Sequence, residues 1–125
     1  EATAFYRNTV LALKEAGFNF HVIDFCHQNP KYLISFEENK TKLLGFSKVY
    51  DDITNEKPFI AVTTCNNADT NCPFIAEATE RFHLPFVDPK HSDNTEHALK
   101  TYVETSKQIA AEMHFIFKNV ADLVS

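Results

Sequence analysis

Two cysteines, Cys65 and Cys72, stand seven positions apart behind the apolar run Phe59–Thr64, and the next apolar stretch ends in Asp88-Pro89. Such a thiol pair at a strand end suits disulfide exchange. The intervening residues, 66–71, are mostly small and polar, so the loop can bend until two sulfurs meet at about 2 Å. Two other uses of the pair stay open at this point. Both thiols can be structural, packed as small apolar groups with Cys72 buried behind Pro73. A zinc site fits less well, because zinc cysteines are usually separated by about two to four residues and need two further ligands. None of the six histidines stands at a helpful spacing. No cysteine has an arginine six positions downstream, so the chain has no thiol-and-arginine loop for an oxyanion. Cys26 does not supply one: position 32 is Tyr32, and Gln28-Asn29-Pro30 cannot wrap an anion as a Gly/Ser-rich loop does. Cys26 reads as a strand or turn thiol.

The elements that must position these residues follow from periodicity and punctuation. Asn8 is placed to cap a helix over Thr9–Ala16 that Gly17 ends. Phe18–Phe25 and Lys31–Phe36 alternate apolar residues around a polar turn, which predicts an antiparallel hairpin. Lys42–Phe46 can add a third short strand, and Ser47–Pro58 reads as a loop. Phe59–Thr64 is almost continuously apolar, the pattern of a parallel strand covered on both faces, and Arg81–Phe86 offers a second short strand. From Asn94 or Thr95 to about Val124, apolar residues recur every three or four positions without Gly or Pro, which predicts one long amphipathic helix. The class is α/β. His21 lies in a strand pattern, His114 on the long helix, and His83, His91 and His97 in or near loops. His27 sits beside Cys26, at a hairpin turn.

Composition excludes several partners. The 125 residues are one domain or the larger piece of one, and 44% apolar content with twelve Phe predicts a folded core. A net charge of −5 with no basic stripe argues against nucleic acid or an anionic membrane. No apolar run reaches the roughly 18 residues of a membrane span, and no signal-peptide layout opens the chain. A cytoplasmic protein with reduced or exchanging thiols is expected from the odd count of three cysteines. With only Gly17 and Gly45 available there is no Gly-rich phosphate loop, and no cofactor is called for.

The run Ala61-Val-Thr-Thr-Cys65-Asn-Asn-Ala-Asp-Thr-Asn-Cys72-Pro-Phe-Ile, followed by Leu84-Pro-Phe-Val-Asp88-Pro89 and a long C-terminal helix, resembles the thioredoxin-coupled arsenate reductases of the low-molecular-weight protein tyrosine phosphatase superfamily. Glu1–Phe5 through Leu13–Phe18, and Phe46–Asp52, are also similar to a longer branch of that family with an added hairpin. The resemblance implies a three-layer parallel-sheet phosphatase-like fold with an antiparallel hairpin and a long C-terminal helix. It implies that residues 1–125 form a single incomplete domain whose N-terminal strand, phosphate loop, helix and second strand are absent. In that family a cysteine of a C-x5-R loop attacks the oxyanion, a second thiol attacks the adduct, and a third resolves the disulfide. Cys65 would be the second thiol and Cys72 the third, with a thioredoxin-like reductant reopening their bridge. Asp88 would be the general acid that protonates the leaving oxygen, its backbone stiffened by Pro89. The substrate would be an oxyanion, arsenate or a phosphate ester, in the complete enzyme.

Glu1 opens the chain without an initiator Met and almost at once in helix-like sequence, which is read as a cut; the chain alone is expected to be inactive toward oxyanions. The family's strand order, 2-1-3-4, would leave Phe59–Thr64 as an open edge that recruits the missing N-terminal segment or a second copy. Two alternatives accompany the reductase reading. One is a phosphatase of the same fold acting on phosphotyrosine or small phosphate esters. The other is a non-catalytic redox or interaction module.

Overall fold

The computed structural model describes residues 3–25, 28–38, 40–65, 70 and 74–125. It contains both helices and sheets, in the order α1 (Arg7–Glu15), β1 (Asn19–Asp24), β2 (Lys31–Ser35), β3 (Leu43–Gly45), β4 (Phe59–Thr63), β5 (Ala78–His83), a 3-10 turn (Pro89–Ser92) and α2 (Ala98–Val124). Strands β1, β2 and β3 form an antiparallel sheet, whereas β4 and β5 pair in parallel. The described residues divide into two compact units, Lys48–Asp88 and Thr3–Ser47 with Pro89–Ser125.

In the second of these units, α1 begins one residue ahead of the expected cap. Tyr6 stands at the N-cap and makes no side-chain capping bond, so Asn8 lies inside the helix. Its other end follows the sequence signal. Gly17 has φ +106°, its N–H donates to the Lys14 carbonyl, and the Phe18 N–H donates to the Leu13 carbonyl. That pair of bonds is a Schellman stop, which needs the left-handed conformation glycine adopts without a Cβ penalty. The chain then turns into β1, whose pairing with β2 sets Phe20 against Ile34 and Val22 against Tyr32. Tyr32 stacks on Phe5 at 6.1 Å and meets the Phe20 ring edge-on at 5.7 Å. Aromatic pairs of this geometry add to plain area burial. The short β3 crosses β2 with Gly45 opposite Tyr32. There the backbone runs so close to the Ile34 side chain and the Phe5 ring that a Cβ would collide.

Helix α2 starts later than the pattern predicts. Asn94 takes a left-handed φ of +62°, Ser92 Oγ donates to the Pro89 carbonyl at 2.7 Å, and Thr95 Oγ1 donates to the Ser92 carbonyl at 2.6 Å. These side-chain bonds offer residues 92–95 an alternative to helix, so the helix is delayed to Ala98. Its first turns pack on α1 and the 3-10 turn, with Ala98 and Tyr102 buried and the Tyr102 ring 5.5 Å from Tyr6. Tyr102 Oη donates to Asp93 Oδ1 at 2.8 Å. Toward its end α2 exposes Phe115, Phe117, Leu123 and Val124. Among the described residues, no helix is long and apolar enough to cross a membrane.

Candidate functional site

The unit Lys48–Asp88 is built on the parallel pair. Strand β5 begins three residues before the expected segment and ends at His83, but its ladder outlasts it: the Leu84 N–H donates to the Thr63 carbonyl at 2.9 Å and the Phe86 N–H to the Thr64 carbonyl at 3.0 Å. Parallel pairing therefore carries 63–64 and 84–86 side by side out of the same end of the sheet. Cys65 is the first residue beyond one segment, and Asp88 the second beyond the other. The carboxyl ends of parallel strands are where open α/β sheets bind their ligands. Cys65 is half-buried and Asp88 exposed. Cys72, like Cys26 and His27, lies outside the described residues, so the Cys65–Cys72 pairing is not part of this geometry.

Burial alternates strictly along β4 and past its end. Ala61 and Thr63 are buried, Cys65 is half-buried, and Ile60, Val62 and Thr64 are exposed. On β5, Arg81 and His83 are half-buried while Phe82 is exposed, and register sets Arg81 beside Ala61 and His83 beside Thr63. Side chains of a strand point to opposite faces in turn, so Thr63, Arg81 and His83 share the covered face. On the other face the strand departs from expectation. A strand covered on both sides was expected, yet Ile60 is 62% and Val62 44% exposed.

The His83 ring meets Thr63 through its Nδ1. Its Nδ1 lies 3.1 Å from the Thr63 carbonyl oxygen and 2.9 Å from Thr63 Oγ1. The Thr63 carbonyl oxygen can only accept, whereas the Thr63 hydroxyl can donate to this nitrogen or accept from it. The Thr63 hydroxyl is itself oriented toward the Phe82 carbonyl at 3.5 Å. Sequence reasoning placed His83 in or near a loop and gave it an ordinary role; it is the last residue of β5. The available signal was the Thr63-Thr64-Cys65 run, whose hydroxyls at a strand end invite a polar partner from the neighbouring strand.

Upstream, the loop before β4 is organised by its own side chains. Asp52 Oδ1 accepts from the Thr54 N–H at 2.8 Å and from Thr54 Oγ1 at 2.6 Å, and Asn55 Nδ2 donates to the Tyr50 carbonyl at 2.7 Å. Lys57 pairs with Glu77 across the starts of β4 and β5. A groove of about 430 Å³ runs here, lined by Phe59, Ile60, Ala61 and Val62 together with Tyr50 and Ile75. Four consecutive strand residues alternate faces, so a groove that touches all four follows the backbone edge of β4. Among the described residues β5 is the only strand paired with β4, and no group of three or more His, Cys, Asp or Glu could hold a metal ion. No family model matches the chain, and no curated protein or solved structure matches it.

Proposed function

We propose that this chain carries the thiol relay of an arsenate reductase-like enzyme with the low-molecular-weight phosphatase architecture. One observation carries the reading: the β4–β5 pair delivers Cys65 and the Asp88 segment to the same carboxyl edge, joined by the Leu84 and Phe86 backbone bonds. In the relay, an upstream cysteine holds arsenate as a thiol adduct. The Cys65 thiolate attacks that sulfur, a disulfide forms, and arsenic leaves as arsenite with the electron pair. Cys72 then attacks the Cys65 sulfur and expels the upstream thiolate, leaving a Cys65–Cys72 disulfide. A dithiol reductant of the thioredoxin type reopens it and takes up the oxidation. Asp88 supplies a proton to the departing oxygen, and its exposure leaves it accessible to a substrate at the rim.

The open edge of β4 belongs to the same proposal. A parallel pair on its own, with Ile60 and Val62 exposed, is an incomplete sheet, and its edge groove has the course a further strand would follow. The occupant is the strand that precedes the oxyanion loop of the complete enzyme, or, in this chain alone, the same edge of a second copy.

Mild oxidation of the chain followed by peptide mapping without reductant tests the relay. The expected product is an intramolecular Cys65–Cys72 disulfide that thioredoxin reduces and that is absent from C65S and C72S. A chain in which these two sulfurs fail to join would overturn it. In the complete enzyme, C65S separates the phosphatase reading: arsenate turnover is lost under the relay, whereas phosphomonoester hydrolysis that survives C65S without any native arsenate turnover favours the phosphatase. The Asp88 segment at the rim serves either chemistry.

A further inference from the structure

We draw no further inference here: the strongest candidate, the apolar stripe of Phe117, Val120 and Val124 exposed along the last turns of α2, carries nothing because nothing in the structure shows what covers it.

Discussion

Two buried polar side chains of this chain, Thr63 and Tyr102, have neighbours that meet their hydrogen-bonding groups. Thr63 is 6% exposed, yet both of its oxygens lie within reach of the His83 ring, so a polar residue sits in the covered layer at little cost. Tyr102 is the counterpart in the other unit. Its ring is buried against Tyr6, and its hydroxyl donates to Asp93. Y102F keeps the ring and removes only that bond. Because the acceptor is a carboxylate, the variant should lose about 1.5 kcal/mol of stability, read as a lower urea midpoint at unchanged slope. A variant as stable as the native chain would mean that water replaces the hydroxyl at Asp93 without loss.

At the scale of elements, punctuation decides more than propensity. Helix α1 has only nine residues, a length at which a helix in water is marginal, and it persists by packing on α2 and by its Schellman stop. At Gly17 an added Cβ meets no neighbour, so G17A probes the backbone alone. The φ of +106° is strained for alanine, and the cost should be about 1 kcal/mol or more, measured by thermal or urea unfolding. A neutral G17A would show that the stop relaxes to another conformation. Gly45 is glycine for the opposite reason: its backbone is ordinary, and the space is filled by Ile34 and Phe5. G45A should therefore destabilise by overpacking, by about 1 kcal/mol or more, and the I34V background should relieve part of that loss in a double-mutant cycle. Strict additivity of G45A and I34V would exclude the Ile34 contact as the cause.

At the scale of the whole molecule, the shortage of core among the described residues is the main fact. Among the described residues the buried apolar side chains are Ala12, Ala61, Ala98 and Tyr102, while Ile60, Val62, Phe74 and Phe82 of the β4–β5 unit are exposed. A two-stranded parallel sheet with one open face is unusual, because parallel sheets are normally covered on both sides. Under the proposed architecture the chain of 14.3 kDa pairs through β4, so light scattering should give about twice that mass, with amide protons of Ile60 and Val62 slow to exchange. A monomer in which these two amides exchange freely would count against strand addition at this edge.

Local order was legible because local rules govern it. The hairpin and the third strand follow from alternation around turn residues, the stop at Gly17 from its missing Cβ, and the long helix from an unbroken period of three to four. Boundaries slipped where side chains competed with the backbone, as at Ser92 and Thr95 before α2, since a hydroxyl bonded to a nearby carbonyl leaves no mark in hydrophobic periodicity. The candidate thiols could be picked out by residue type and spacing, and Asp88 by the resemblance alone. Only the tertiary structure could say that the neighbour of β4 is β5, that their ladder runs on to Phe86, and that His83 lies against Thr63, because parallel register depends on contacts twenty residues apart. It also decided which face of β4 is covered, for a continuous apolar run reads the same whether one face is buried or both.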